Sequence, residues 1–197
     1  MSSSTTRVRV SPAERRKQLL EIGVRLLGTR SLDDLSIELL ADEAGISRGL
    51  LYHYFGNKQA FHVAVVRKAV EDVYEITAPP GSGDPLTQLQ ASLGAYLDYV
   101  VDNHAGYLSL VRAASGGNEE LRQIHADAQR ALSDRLFDKA RALDESTIID
   151  TPATRLLARA WAALVEDAVL AWVEDPAGLS REELLARLAG ALVPLVS

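Results

Sequence analysis

Residues 36–58 of this chain read SIELLADEAGISRGLLYHYFGNK. In the first half of this stretch, apolar side chains fall on one side of a short helix. They are Ile37, Leu40, Ala41 and Ala44. Gly45 then allows a tight corner, after which a second helix can cross the first. Ser47 follows as a suitable N-cap, because its side-chain oxygen can accept a backbone N–H of the next turn. The stretch therefore predicts a helix-turn-helix.

The second helix of this pattern is expected to pack through Leu50 and Leu51. Its other faces suit nucleic acid, since a recognition helix reads base edges from its N-terminal residues while hydroxyls and cations bind phosphate. The residues predicted to contact DNA are Ser36, Ser47, Arg48, Gly49, Tyr52, His53, Tyr54 and Lys58. One tyrosine is expected to bind phosphate while the other partly packs, and the pattern does not say which. Short helices joined at a glycine also occur in helical proteins that bind no DNA, so that alternative stays open.

From Leu19 to Phe61 the chain resembles the N-terminal domain of the TetR/AcrR family of bacterial transcriptional regulators. The residues that carry the resemblance are Leu40-Ala41, Ala44-Gly45-Ile46-Ser47, Leu51-Tyr52-His53-Tyr54-Phe55 and Asn57-Lys58. The resemblance implies an all-α protein of about nine helices. A helix-turn-helix DNA-binding domain of three helices would occupy residues 1–58, and a helical effector-binding and dimerisation domain would occupy residues 59–197.

Two positions depart from the family's usual pattern. Ser31 stands where a glycine is common after the first helix, so the corner there is expected to be built differently. The Glu38 carboxylate would repel phosphate unless it turns away or gains a basic neighbour. Because Glu38 lies in the first turn of its helix, we favour an interaction with the helix dipole.

Charge is divided unevenly along the chain. Residues 1–30 contain seven basic and two acidic side chains, a net charge of +5, so the remaining residues carry −11 of the total of −6. A basic end on an acidic body favours approach to phosphate by one face. Arg7 and Arg9 lie in a Ser/Thr-rich start that is predicted to be a flexible arm able to reach DNA. The alternative for such a cluster is a solvated helix face, as for Glu21 and Arg25.

The composition limits the class of protein. With 197 residues and 47% hydrophobic residues, the chain can bury a substantial core. It has no cysteine, which excludes disulfides and thiolate metal sites. Together with the lack of an N-terminal apolar signal, this predicts a cytoplasmic protein. No apolar run approaches the ~18 residues of a membrane span, so no membrane partner is expected.

The rest of the chain reads as helices separated by turn signals. A first amphipathic helix is predicted from Pro12 to Gly28, and Asn57 is expected to cap a fourth helix that ends near Ile76. This fourth helix would join the DNA-binding domain to the second domain. Residues 79–83 form the clearest loop. Apolar stripes and caps predict further helices over residues 86–100, 107–111, 121–143, 152–175 and 180–194.

The last two predicted helices are apolar over more than one face. The apolar residues of the first of them are Leu156, Leu157, Ala160, Trp161, Leu164, Val165, Ala168, Val169, Trp172 and Val173. These side chains cannot all face one core, so a second copy of the chain is the expected cover. A two-fold dimer would place two recognition helices about 34 Å apart and would bind a palindromic operator.

The family resemblance implies that a small molecule enters a pocket among the middle helices, displaces the fourth helix and changes the separation of the two recognition helices. A small, largely apolar effector would thus release a repressor from its operator. The candidate pocket residues are Tyr96, Tyr99, His104, Tyr107, Val111, His125, Leu132 and Trp161. Each of them could instead be an ordinary core residue. The alternative is a DNA-binding dimer that is controlled by a protein partner.

Enzymatic functions are not supported by the residue pattern. The four histidines show no metal-ligand spacing with a carboxylate, and no glycine-rich phosphate loop follows a strand. Ser109 and Ser115 lie near His104, but a nucleophile needs a geometry that neighbouring positions on a helix do not supply. We therefore expect no catalytic residues, no metal and no cofactor.

Overall fold

The computed structural model describes residues 11–81, 84–141 and 148–197. Over these ranges it contains nine α-helices and no strand, which confirms the predicted all-α class. The helices are α1 (Pro12–Gly28), α2 (Ile37–Ala44), α3 (Arg48–Phe55), α4 (Lys58–Ile76), α5 (Pro85–Asp102), α6 (His104–Ser115), α7 (Glu119–Arg141), α8 (Pro152–Glu174) and α9 (Arg181–Val196). The predicted arm with Arg7 and Arg9 lies outside the described residues, as does part of the loop expected over residues 79–83.

Local capping signals fix most helix starts. Asn57 accepts the backbone N–H of Ala60 at 2.8 Å and begins α4 where the sequence predicts it. Thr151 and Ser180 each form a reciprocal capping box at the starts of α8 and α9. Pro194, expected to end the last helix, lies inside its final turn instead. Because proline has no N–H, the carbonyl of Gly190 loses its i→i−4 partner, and α9 continues for only two residues beyond Pro194.

The first four helices share one apolar core. The side chains that are fully buried in it are Leu19, Leu35, Ile37, Leu40, Leu51, Phe61, Val65 and Val66, together with Leu121 of α7. Helix α1 packs against α4, and α2 packs against both α1 and α3. The corner after α1 needs no left-handed residue, because Ser31 donates its hydroxyl to the Asp34 carboxylate at 2.6 Å and accepts the Asp34 N–H at 3.3 Å. This is the different construction that Ser31 implied.

Helix α6 joins these four helices to the rest of the molecule. A Cβ atom on Gly106 would overlap the backbone carbonyl of Leu27 at the end of α1, so the two backbones touch directly. Three residues further along α6, Ser109 Oγ accepts the backbone N–H of Leu32 at 2.9 Å. The apolar core of α1–α4 also extends to Leu110 on α6. The N-terminal helices are therefore connected to the rest of the molecule through α6 as well as through α4.

The second half of the chain builds its core from α5, α8 and α9, with Phe137 of α7 buried near the end of α9. Val165 and Val169 bury one side of α8 against Leu185 and Leu188 of α9. Helix α7 packs between α4, α6 and α8. Among the helices of the described ranges, none is long and apolar enough to cross a membrane.

Candidate functional site

The turn between α2 and α3 has the geometry of a helix-turn-helix. Gly45 ends α2 in the left-handed region at φ 62°, a conformation that costs a glycine little. Ser47 begins α3, and its Oγ accepts the backbone N–H of Leu50 at 3.3 Å. With Gly45 and Ser47 in these roles, α3 crosses α2 and leaves one long face uncovered.

Helix α3 buries only one side. Leu51 is fully buried and Phe55 is nearly so, whereas Leu50 is 37% exposed and does not pack as predicted. The uncovered face carries Ser47, Arg48, Gly49, Tyr52 and His53, all of them exposed. Tyr54 is half-buried and packs against the core of α1–α4. The structure thus distinguishes the two tyrosines: Tyr54 packs against the core, and Tyr52 is exposed on the uncovered face.

Arg48 begins α3 and has an acidic neighbour. Its Nη1 lies 3.6 Å from the Glu38 carboxylate in the first turn of α2. Both side chains are about half exposed or more, so solvent screens the pair and its net stability is small. Glu38 lies in the first turn of α2, where the favoured interaction with the helix dipole is possible, and it also has the basic neighbour that was the alternative.

Ser36 and Lys58 flank the motif. Ser36 is half-buried, and its Oγ accepts the Leu39 N–H at 3.0 Å as the N-cap of α2. Lys58 is the exposed first residue of α4, and its Nζ donates to the backbone carbonyl of Asp33 at 3.1 Å. Because the first backbone N–H groups of a helix attract anions, Lys58 and the start of α4 together suit a phosphate.

His62 is a buried histidine that the sequence did not single out. It lies one turn after Lys58, and its Nε2 is 2.6 Å from the Leu35 carbonyl oxygen. Burial lowers the pKa of His62, and the Lys58 charge adds to this, while the hydrogen bond to Leu35 and the charge of Asp33 oppose it. His62 thus links α4 to the segment before α2 in its neutral form.

A cavity of about 1280 Å³ lies among the middle helices. Helices α4, α5, α7 and α8 supply most of its wall, and α6 contributes Tyr107 and Leu110. Five of the eight predicted pocket residues line it, namely Tyr96, Tyr107, His125, Leu132 and Trp161. The volume and the mainly apolar wall suit an organic ligand of drug size.

The other three predicted pocket residues lie elsewhere. Tyr99 borders a cleft of about 10 Å³ beside Gly28 and Gly106, too small for a ligand. His104 is half-buried at the start of α6, where its Nε2 is buried with no hydrogen-bond partner in the described structure. Val111 is half-buried outside the wall of the large cavity.

The polar centre of the cavity is Glu166, a residue the sequence analysis missed. Its carboxylate accepts the Tyr107 hydroxyl at 3.0 Å, Nε2 of His125 at 2.8 Å and Nε2 of Gln129 at 2.6 Å. The Tyr96 hydroxyl lies 2.8 Å from that of Tyr107 and extends the network. The available signal was a glutamate at an inward position of an apolar helix, since Glu166 follows Ala158 and Val165 along the buried side of α8.

The network sets the protonation of its members. The hydrogen bond to Glu166 raises the pKa of His125, against the opposing effect of burial. Burial raises the pKa of Tyr96 and of Tyr107, so both phenols keep their protons. These directions make Glu166 the acceptor for three donors that come from two other helices, α6 and α7.

Arg135 occupies another part of the cavity wall, at the end of α4. Its guanidinium donates to the Tyr74 backbone carbonyl and, at 3.3 Å, to Thr77 Oγ1. It also lies 3.4 Å from the centroid of the Tyr74 ring. A cation at the C-terminal end of a helix interacts favourably with the helix dipole. Arg135 of α7 thus ties the last turn of α4 to the cavity wall.

An exposed helix-turn-helix on a helical body defines a DNA-binding transcriptional regulator. Comparison with known protein families shows to which family of regulators the chain belongs. Residues 19–65 match the family described as bacterial regulatory proteins, tetR family, and residues 85–194 match the tetracyclin repressor-like C-terminal domain. The chain belongs to the TetR family of transcriptional regulators, which confirms the resemblance seen in the sequence.

Individual relatives agree with this assignment. The chain is 29% identical to the HTH-type transcriptional regulator BetI of Stenotrophomonas maltophilia, over 77% of this chain and 78% of the relative. It is 22% identical to the HTH-type transcriptional activator FasR of Mycolicibacterium smegmatis, over 86% of this chain and 77% of the relative. The crystal structure of a tetR-family regulator from Streptomyces coelicolor superposes with a TM-score of 0.78 at 28% identity, covering 94% of this chain and 81% of that one.

Proposed function

We propose that this regulator is a ligand-responsive repressor, which binds a palindromic operator as a homodimer and is released when a small effector enters the cavity. The DNA-binding unit is residues 1–58, and residues 59–197 bind the effector and the second subunit. The predicted DNA contacts on α3, together with Ser36 and Lys58, supply the interface with the operator.

The observation that carries this proposal is the position of α6 between the cavity and the DNA-binding helices. Tyr107 lines the cavity and donates to Glu166, while Gly106, the residue before it, abuts Leu27 of α1. Ser109 of the same helix holds the Leu32 backbone. A ligand that displaces Tyr107 therefore moves α6, which packs directly on α1. Effector binding and DNA binding are thus coupled through α6.

An uncovered apolar face on α8 and α9 supports the dimer. Leu156, Leu157 and Leu164 are 57%, 40% and 51% exposed along one side of α8, and Val193 of α9 is 49% exposed. Contiguous exposed apolar surface of this kind marks an interaction site. Pairing α8 and α9 with the same helices of a second copy would cover it by two-fold symmetry.

The cavity favours a small molecule over a protein partner as the controlling signal. It is a concave, mainly apolar site of about 1280 Å³ with the buried Glu166 in its wall, and concave sites of this kind bind small organic ligands. In energetic terms, an effector lowers operator affinity only if it binds the DNA-incompetent state more tightly. One relative, FasR, is named an activator, so the sign of regulation is tested separately from operator binding.

The experiment separates DNA binding from coupling. An operator selected from random DNA is labelled, and the affinity of the protein for it is measured by fluorescence anisotropy with and without candidate effectors. Sedimentation gives the oligomeric state, and a reporter gene behind the operator gives the sign of regulation. We expect a palindromic site, a dimer and loss of affinity with the effector.

A coupling variant makes the test specific. Ser109→Ala removes the acceptor for the Leu32 backbone N–H, and we expect it to retain operator and effector binding but to lose part of the effector-induced release. Ser115→Ala is the matched control, because Ser115 lies on the same helix, is exposed and bonds only the carbonyl of Val111. Equal release in both variants would contradict the role of α6.

A further inference from the structure

The cavity contains a buried negative charge. Glu166 is 8% exposed and is the only buried acidic side chain in the ranges that the structure describes. Burying a carboxylate is unfavourable unless hydrogen bonds and an opposite charge compensate for it. The charges of its partners therefore decide what kind of ligand the cavity can accept.

Only one of the three donors to Glu166 can carry a positive charge. Gln129 is always neutral, and Tyr107 donates as a neutral phenol. His125 neutralises Glu166 when it is protonated and leaves a net charge of −1 when it is not. The inner wall of the cavity thus combines the Glu166 carboxylate with one positive charge, which is present only when His125 is protonated.

Other charged side chains border the cavity but do not govern this pair. Those on α4 and α7 are Arg67, Glu71, Glu75, Asp127, Arg135 and Lys139. All of these except Arg135 are exposed, and Arg135 is engaged by the end of α4. Around His125 itself, Glu166 is the charged group that shifts its pKa, and the neighbouring Tyr107 and Tyr96 keep their protons.

Aromatic rings complete the surroundings of the carboxylate. Tyr96 and Tyr107 meet edge to face with their centroids 5.9 Å apart, and Trp161 lines the same cavity. The face of an aromatic ring attracts cations, most strongly where water is excluded. The combination of rings with a buried carboxylate favours a positively charged ligand group over a negatively charged one.

We propose that the effector is an organic cation, an amine or quaternary ammonium on an apolar body, whose charge takes the place of the His125 proton beside Glu166. This inference rests on the proposed function, in which the cavity is the effector site. The proton that leaves is the one on Nδ1, because both hydrogen bonds described for the ring run from Nε2 to Glu166. The Nε2 donor is retained, and the number of positive charges beside the carboxylate does not change.

An anionic ligand would be disfavoured by the charges of the inner wall. It would add a second negative charge to the inner wall, where His125 can supply only one positive charge. A neutral ligand would leave the pair of His125 and Glu166 as it is and would bind without exchanging a proton. The three ligand charges therefore differ in the proton count and in the pH dependence of binding.

The test uses three probes with the same chain and different charge, namely octyltrimethylammonium, 1-octanol and octanoate. Their binding to the full-length protein is measured by isothermal titration calorimetry in two buffers of different ionisation enthalpy. We expect the cation to bind most tightly and to release up to one proton. Below the pKa of His125, its affinity should fall by up to about tenfold for each pH unit, because protonated His125 excludes it. Octanol affinity should not change over the same range.

Substitutions of Glu166 and His125 test whether these residues cause the charge and pH dependence of ligand binding. Glu166→Gln should weaken cation binding at least about tenfold while retaining octanol binding, because a charge-assisted interaction is lost. His125→Asn should make cation binding independent of pH. Asp102→Asn is the matched control, since it removes an exposed carboxylate from α5 away from the cavity. The proton count of the unaltered protein tests the proposal even where a variant fails to fold.

The outcomes are distinguishable. Octanol or octanoate binding as tightly as the cation, or cation binding without proton release at a pH below the pKa of His125, would overturn the cationic effector and leave the effector site intact. Failure of all three probes to bind would overturn the cationic effector and would also count against the cavity as the effector site. Operator binding is measured separately and is unaffected by either result.

Discussion

The Arg48 guanidinium and the Glu38 carboxylate lie 3.6 Å apart, so the first residue of the recognition helix is held by the first turn of the helix before it. A DNA phosphate that approaches Arg48 also approaches this carboxylate. The pair therefore orients Arg48 and, at the same time, opposes non-specific attraction to DNA.

Replacing Glu38 with Gln should strengthen binding to unrelated DNA more than binding to the operator. Removing the carboxylate frees Arg48 and removes a repulsion from phosphate, and an exposed charge of this kind is worth about 1 kcal/mol or less. Fluorescence anisotropy on operator and random duplexes measures both affinities. Glu43→Gln is the control, because Glu43 lies on the same helix and pairs with Arg25 of α1 at 2.6 Å. Equal gains on both duplexes would contradict the orienting role.

Substitutions of Lys58 and of Arg48 are expected to change DNA binding in different ways. Lys58→Ala should weaken binding to all sequences alike and reduce the slope of log affinity against log salt by about one, as expected for one phosphate contact. Arg48→Ala should relax the preference at one base position by about 1–3 kcal/mol. Titrations at several salt concentrations, on the operator and on single-base variants, distinguish the two. An unchanged salt slope in Lys58→Ala would remove its phosphate role.

Gly106→Ala should destabilise the protein. The added Cβ overlaps the Leu27 carbonyl, so α1 and α6 must separate, and overpacking of this kind costs about 1–3 kcal/mol. Thermal or urea unfolding measures the loss. Gly49→Ala is the control within a helix, since its Cβ would meet only Ser47 Oγ at 4.0 Å, and we expect it to be neutral or stabilising by up to ~1 kcal/mol. Its operator affinity should nevertheless fall, because the methyl group opposes close approach of the DNA backbone.

Leu164→Glu should convert the proposed dimer into a monomer. The change places a charge in the middle of the exposed apolar side of α8, where a symmetric interface would bury it twice. Sedimentation velocity at micromolar concentration reads the result, and operator affinity should fall with it. Val101→Glu provides the comparison, because Val101 of α5 is 48% exposed and lies outside α8 and α9. A dimer that survives Leu164→Glu would place the interface elsewhere.

Acid should destabilise the DNA-binding helices through His62. Burial lowers the pKa of His62 below its ordinary value of 6.5, so the unfolded chain takes up a proton more readily than the folded chain. The contribution of His62 to the free energy of unfolding therefore has its full value above about pH 6.5. It decreases as the pH falls towards the pKa of His62 in the folded state. Urea unfolding between pH 8 and 5 measures the decrease.

His62→Gln should remove that part of the acid sensitivity, since glutamine can donate to the Leu35 carbonyl without titrating. His53→Gln should leave it unchanged, because His53 is exposed on α3. An identical pH profile for the protein and for His62→Gln would show that another group is responsible.

Most of the helices and the class of the protein can be predicted from the sequence alone. Caps such as Ser47 and Asn57, the corner at Gly45 and the apolar spacing of α1 act within a few residues of one another, so they can be read along the chain. The same local rules placed Tyr52 and Tyr54 on one helix. They did not show which tyrosine packs, because that depends on the neighbours that α1 and α4 provide.

The positions at which the functional groups meet depend on how the helices pack, which the sequence analysis did not predict. Glu166 accepts hydrogen bonds from residues 37 to 59 positions away along the chain, and Gly106 touches a helix that ends nearly 80 residues earlier. Tyr99 and Tyr107 are both predicted pocket residues, yet only Tyr107 lines the large cavity. Helical periodicity gives the side of a helix on which a residue lies, whereas the partner across that side is set by how whole helices pack, and this is a property of distant residues together.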